Sequence, residues 1–220
     1  MQLHDGQTFL LTGDSITDCG RARPVGERDG LGAGYVELVD GLLAAAYPRV
    51  RIRVLNTGIG GNRVTDLAAR WSSDVLDLQP AWLSVMIGIN DVWRQFDRPT
   101  DTDQVGPGRF ESVYRELLAR TRPRLKGLVL MTPYFLEANR SDPMRARMDE
   151  YGRIVQTLAR QFDAVYVDTQ AAFDRYLAHR PSASLCADRV HPNKAGHLII
   201  ASALLTELGF DWSLLGTARA

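Results

Sequence analysis

At 220 residues, with 26 basic and 26 acidic side chains, the chain is long enough for one well-buried core and carries no formal net charge. That balance argues against a polyanionic partner, whether nucleic acid or an anionic membrane, and favours a small neutral or mixed substrate. No apolar run approaches the roughly 18 residues of a membrane span, and the opening Met1-Gln2-Leu3-His4-Asp5 lacks a basic segment ahead of an apolar one, so the expected compartment is the cytoplasm.

Taken in order, short apolar strands alternate with amphipathic helices. The first strand is predicted over Thr8 to Thr12. A Gly- and Arg-rich stretch follows from Cys19 to Gly34; it is long for a strand-to-helix connection, and such loops are functional or disordered. Val36, Val39, Leu42 and Leu43 share one face of a helix predicted from Tyr35 to Ala46, ended by Pro48. Arg51 to Asn56 reads as the second strand, Thr57 to Arg63 as its loop, and Val64 to Leu78 as a helix turning Leu67, Trp71, Val75 and Leu78 inward. The third strand, Trp82 to Ile87, is almost continuously apolar, which suits a parallel strand buried on both faces. It ends in Gly88-Ile89-Asn90-Asp91. A polar surface loop is predicted from Asp97 to Gly108, then a helix from Arg109 to Thr121 stopped by Pro123. The fourth strand spans Gly127 to Thr132, and the helix from Pro143 to Gln161 has proline at its favoured first position. A fifth strand over Ala164 to Asp168, a short helix from Gln170 to Ala178, a loop from Pro181 to His191 and a helix from Pro192 to Leu208 follow.

Five strand–helix units without internal repeat predict one domain over residues 1–220. The expected fold is a three-layer α/β/α sandwich around a five-stranded parallel sheet of flavodoxin-like order 2-1-3-4-5. In such a sheet, ligands bind beyond the carboxyl ends of the strands. Ser15 lies just past the first strand, Gly61 past the second and Asn90 past the third, so three separate motifs open onto one edge. Alone, Gly13-Asp14-Ser15-Ile16-Thr17 reads first as a plain turn. With its neighbours on the same edge, Ser15 reads as a nucleophile.

The segment Asp188-Arg189-Val190-His191-Pro192 supplies what a serine nucleophile needs. Pro192 biases His191 away from helix, and a turn folds the Asp188 carboxylate back onto one imidazole nitrogen. That fixes the tautomer and leaves the other nitrogen to take the Ser15 proton. Acyl transfer also requires donors aimed at the developing oxyanion. The Ser15 N–H, the Gly61 N–H and the Asn90 side-chain amide are the candidates, although Gly60-Gly61 also reads as a turn or a phosphate cradle and Asn90 as a cap.

Together, Ser15, Gly61, Asn90 and His191, with Asp188 three residues before the histidine, resemble the SGNH superfamily of serine esterases, also called GDSL hydrolases. The likeness runs from the first strand to the last helix. The stretches Gly13 to Arg23, Met86 to Gln95, Met131 to Pro133, Asp142 to Arg145, Val167 to Phe173 and Asp188 to Pro192 are similar to intracellular bacterial acetylxylan esterases of that superfamily. The resemblance implies a serine esterase that removes acetyl groups from xylo-oligosaccharides through an acetyl-Ser15 intermediate, with no metal or cofactor. One departure is that the family's Gly-x-Ser-Gly block reads Gly58-Ile59-Gly60-Gly61 here, which keeps the donor position and alters the loop.

Asp14 is a candidate brace for the nucleophile turn. Asn62, Arg63, Trp93 and Arg94 are candidate substrate contacts, with Trp93 either stacking on a sugar ring or filling the rim and the two arginines either donating to hydroxyls or pairing with acids such as Asp91. Cys19 and Cys186 read as free thiols near the site, with a disulfide or metal pair weakly supported. His4, His179 and His197 read as ordinary surface or core residues, and Phe210 and Trp212 as a cover for the core or a subunit contact. Symmetric self-association is expected of a small intracellular enzyme. Two other readings stay open: a lysophospholipase or thioesterase of the same chemistry, and a flavodoxin-like module binding phosphate or a nucleotide.

Overall fold

A computed structural model describes residues 1–216. The strands are β1 (Thr8–Gly13), β2 (Gly26–Glu27), β3 (Arg53–Asn56), β4 (Trp82–Met86), β5 (Gly127–Met131) and β6 (Val165–Val167). The helices are α1 (Ser15–Asp18), α2 (Tyr35–Ala46), α3 (Val64–Ala69), α4 (Ile89–Asp97), α5 (Pro107–Thr121), α6 (Pro143–Gln161), α7 (Thr169–Leu177) and α8 (Lys194–Glu207).

The sheet order is β2-β3-β1-β4-β5-β6. All pairings are parallel except β2 with β3. The five predicted strands are therefore present in the predicted order, and the strand count is corrected to six by a two-residue antiparallel edge. That edge arises inside the Gly/Arg-rich loop, where Gly26 and Glu27 pair with Asn56 and Leu55. The loop is tied to β3 and the segment after it: the buried Arg21 donates to Gly58 O at 2.8 Å, and Asn56 Nδ2 donates to Leu31 O at 2.8 Å.

The central strands are apolar because both faces are covered. Every residue of β4 and β5 is buried, as are five of the six in β1. Leu10 lies beside Leu55 on one side and Leu83 on the other, which fixes the register across the middle of the sheet. Gly13 closes β1 where only glycine fits, since a Cβ there would lie 2.2 Å from Met86 O. The chain can then turn directly into α1.

Beyond shifts of one or two residues elsewhere, one predicted helix breaks, one helix forms where none was predicted, and the last helix starts late. The helix predicted over Val64 to Leu78 breaks after Ala69, and a π-helical turn over Ser72–Leu76 follows. Trp71, fully buried, sits at this break and donates its indole N–H to Thr121 Oγ1 at 2.8 Å, tying the segment to α5. The stretch after β4, for which no element was predicted, forms α4, with Ile89 and Val92 buried on one face. The last helix starts at Lys194, not Pro192, because Asn193 Oδ1 accepts from the N–H groups of Ala195 and Gly196 and caps it. Pro143 does open α6, where Asp142 caps the N–H groups of Met144 and Arg145.

Candidate active site

Asp14 begins the site. Its backbone is extended, and its side chain accepts from Ile16 N–H at 3.0 Å, so it caps α1 and braces the turn that presents Ser15. The carboxyl is 1% exposed, and burial pushes its pKa up to about 7 against that one backbone bond. Ser15 itself is half-buried at the first position of α1.

The candidate base, His191, comes from the other end of the chain. Ser15 Oγ lies 2.9 Å from His191 Nε2, and His191 Nδ1 lies 2.7 Å from Asp188 Oδ2. The other Asp188 oxygen accepts from the N–H groups of Val190 at 3.0 Å and His191 at 2.9 Å. Burial alone would raise this carboxyl, but the bonds from His191 and Val190 outweigh it and hold it below the ordinary carboxylate range. An ionised Asp188 makes Nδ1 the protonated nitrogen, so Nε2 faces Ser15 with its lone pair. The loop carrying both residues is latched to the segment after β5: Tyr134 Oη donates to Val190 O at 3.0 Å, Leu136 N–H to Arg189 O at 2.9 Å, and Arg189 pairs with Glu137 at 2.8 Å.

The loop after β3 comes alongside. A Cβ at Gly60 would lie 3.8 Å from Ser15 Cβ, which measures how closely the two segments approach. Gly60 N–H donates to Asp18 Oδ2 at 2.9 Å and Ile59 N–H to Gly13 O at 3.1 Å, so the altered Gly58-Ile59-Gly60-Gly61 block is tied at several points. Gly61 has a φ of 81°, a left-handed conformation that glycine takes at least cost. Among the described residues, neither the Ser15 nor the Gly61 N–H donates to a protein acceptor. Asn90, 3% exposed in the first turn of α4, uses one side-chain N–H on Asn62 O at 3.1 Å.

The remaining candidates are placed as follows. Trp93 tilts against His191, with ring centroids 6.1 Å apart, and Arg94 covers the indole at 5.2 Å while pairing with Asp97. Arg63 is engaged with Asp66 and with Asp103 at 2.8 Å. Neither arginine pairs with Asp91, which instead accepts from Val64 N–H at 3.0 Å and is pushed up to about 7 by burial. Asn62 Oδ1 is taken by Arg70 at 2.7 Å. Cys19 and Cys186 are free thiols. His197 is a core histidine: its Nδ1 accepts from Tyr35 N–H at 3.2 Å, its Nε2 lies 3.4 Å from Cys19 Sγ, and burial pulls its pKa down to about 4. Arg70 and Tyr134 had no motif to mark them, because each acts on backbone carbonyls far away in sequence. Among the described residues, no group of three or more His, Cys, Asp or Glu side chains is arranged to hold a metal ion, and no helix is long and apolar enough to cross a membrane.

The model of the GDSL-like lipase/acylhydrolase family matches residues 11–199. The chain belongs to that family. This GDSL-family chain is 52% identical over 215 residues to an acetylxylan esterase from Geobacillus stearothermophilus, covering 96% of its own length and 98% of the relative's. Its fold superimposes on a catalytic mutant of Axe2, an acetylxylan esterase from the same organism, with a TM-score of 0.95, 51% identity, and coverage of 96% and 98%. It also superimposes on LAE5, an α/β hydrolase enzyme from the metagenome of Lake Arreo, Spain, with a TM-score of 0.94, 48% identity, and coverage of 99% and 100%. The GDSL fold expected from the sequence and the enzyme class, a carboxylic ester hydrolase, follow from these matches.

Proposed function

We propose that the chain is a single-domain serine acetylesterase acting on acetylated carbohydrate, with acetylated xylo-oligosaccharides as its substrate class. The observation that carries this reading is the unbroken line Ser15 Oγ to His191 Nε2 at 2.9 Å and His191 Nδ1 to Asp188 Oδ2 at 2.7 Å. The acetylxylan esterase relative at 52% identity supports the choice of substrate. The same line gives Ser15, Asp188 and His191 a shared task, which a phosphate- or nucleotide-binding module does not require.

In this mechanism His191 takes the Ser15 proton as Oγ attacks the acetyl carbonyl. The tetrahedral oxyanion accepts hydrogen bonds from the Ser15 and Gly61 N–H groups and from the free Asn90 amide N–H. The carbon–oxygen bond to the sugar breaks, and the departing hydroxyl takes its proton from His191. Water then attacks acetyl-Ser15 by the same route, releasing acetic acid and restoring Ser15. Asp188 stays ionised throughout and steadies the imidazolium.

His191 and Asp188 keep 47% and 41% of their side chains exposed. Such an open site suits a small acyl group on a bulky alcohol better than a long acyl chain. Trp93, on the rim beside His191, offers its face to a sugar ring. We assign the protein to the cytoplasm and expect it to self-associate; Trp212, Leu214 and Leu215, which together expose apolar surface near the C-terminal end, support such a contact.

The test is acetate release from acetylated xylo-oligosaccharides, acetylated chitin fragments, and p-nitrophenyl acetate against octanoate. Xylo-oligosaccharides and acetate are expected to be preferred, and Ser15→Ala to abolish turnover with an unchanged melting curve. Undiminished turnover by that variant would sink the proposal, and preference for octanoate would move the enzyme to the lysophospholipase or thioesterase class.

A further inference from the structure

Arg70 caps the C-terminal end of α3, and its side chain is 13% exposed. Its guanidinium reaches into the ground between the two loops that carry the proposed oxyanion donors. Nη2 donates to Gly13 O at 2.9 Å, Nη1 to Thr57 O at 2.6 Å, and Nε to Asn62 Oδ1 at 2.7 Å. Asp74 Oδ2, 2.6 Å from Nη1, neutralises the charge, and Ser73 Oγ holds the other Asp74 oxygen at 2.8 Å. Four of the five guanidinium N–H bonds are thus used, on three chain segments.

Two of those contacts stand close to a proposed donor in the chain. Gly13 is two residues before Ser15, and Asn62 directly follows Gly61. The Asn62 carbonyl in turn receives the Asn90 amide at 3.1 Å. Gly13 O also accepts from Ile59 N–H at 3.1 Å, so the same oxygen joins the nucleophile turn to the Gly61 loop from two sides.

We propose that Arg70 is a positioning residue that sets the spacing of the three oxyanion donors by clamping the Gly13–Ser15 turn to the Thr57–Asn62 loop. The inference rests on the reading of Ser15, Gly61 and Asn90 given above. A planar fork fixes several acceptors at once and a lysine ammonium cannot, so the clamp requires arginine. Ångström-scale misplacement of a catalytic group costs about 10²-fold in rate. Arg70 lies at the break between α3 and the π-helical turn at Ser72–Leu76, in keeping with the frequent location of such turns at functional sites.

The experiment compares wild type, Arg70→Lys, Arg70→Ala, Asn62→Ala and Ser15→Ala on p-nitrophenyl acetate, whose hydrolysis does not depend on the sugar assignment. Arg70→Lys and Arg70→Ala are expected to lose about 10²-fold in kcat, with KM within about threefold and the pH profile of kcat/KM unshifted, because His191 and Asp188 are untouched. Guanidinium ion at sub-denaturing concentration is expected to restore part of the kcat of Arg70→Ala and none of Ser15→Ala. A purely structural role would show no such rescue. Asn62→Ala, which removes one anchor with Arg70 intact, is expected to lose about tenfold in kcat and serves if the Arg70 variants do not fold. Wild-type kcat in Arg70→Lys or Asn62→Ala, with Ser15→Ala inactive, overturns the clamp alone. Wild-type activity in Ser15→Ala overturns the reading of the site beneath it.

Discussion

Replacing Asp188 by asparagine tests how the base is oriented while preserving the shape of its loop. The asparagine carbonyl can still accept from the Val190 and His191 N–H groups, which the aspartate receives at 3.0 and 2.9 Å. The amide N–H₂ then faces His191 Nδ1, where the carboxylate stood at 2.7 Å. Nδ1 must become the acceptor, so the ring proton moves to Nε2 and the lone pair facing Ser15 is lost. The imidazolium formed during attack also loses its counter-charge. A unit pair near 4 Å is worth about 1 kcal/mol in water and about 4 kcal/mol at an effective dielectric near 20. With both side chains nearly half exposed, the value lies between these limits, or roughly 5- to 10³-fold in rate. The tautomer effect carries the total toward the roughly 10⁴-fold of a buried serine-protease triad. We expect kcat/KM for acetate release to fall at least about 10²-fold, with a wild-type melting temperature. A loss below tenfold in a well-folded variant would refute the assignment of Asp188.

Asn90→Ala is expected to lower kcat about 10²- to 10³-fold with KM nearly constant, since the free amide N–H acts only on the oxyanion; steady-state kinetics on p-nitrophenyl acetate decide it, and a loss under tenfold removes Asn90 from the site. Asp14→Asn keeps the cap on α1, because asparagine caps as well as aspartate, and removes a carboxyl that burial lifts from 3.8 to about 7. The folded protein holds that proton where the unfolded chain has released it, so wild-type stability falls as pH rises from about 4 through about 7. The stability of Asp14→Asn relative to wild type is therefore expected to grow between pH 4 and pH 8, by at most about 4 kcal/mol. Denaturant melts showing a pH-independent difference would contradict it.

The site was more legible than the helices around it. Ser15, Gly61 and Asn90 each lie a few residues past the end of a strand, and a parallel sheet brings such ends to one edge whatever the exact helix lengths. His191 was legible for a different reason, since Pro192 and Asp188 restrict a very short segment. The edge strand at Gly26 and Glu27 was not, because two residues carry no periodicity and only Asn56 and Leu55 hold them extended. Helix α4 had a signal in Ile89, Val92, Trp93 and Phe96 at helical spacing, but the stretch is short and no helix was predicted there. The break after Ala69 was hidden because the apolar pattern continues through Trp71, Val75 and Leu78. Arg70 stands at the interruption, and its acceptors come from segments 8 to 57 residues away in sequence.

Asp188 and His191 lie within one short turn, and that turn is latched to the chain beyond β5 through Tyr134, Leu136 and Glu137. Acid and base therefore cannot be separated by motion of the sheet; they stay or leave as one piece. An opening of the latch would withdraw both from Ser15 together and leave Gly61 and Asn90 in place on other segments. On the reading proposed above, activity would then follow the local equilibrium of this turn and not the stability of the whole fold.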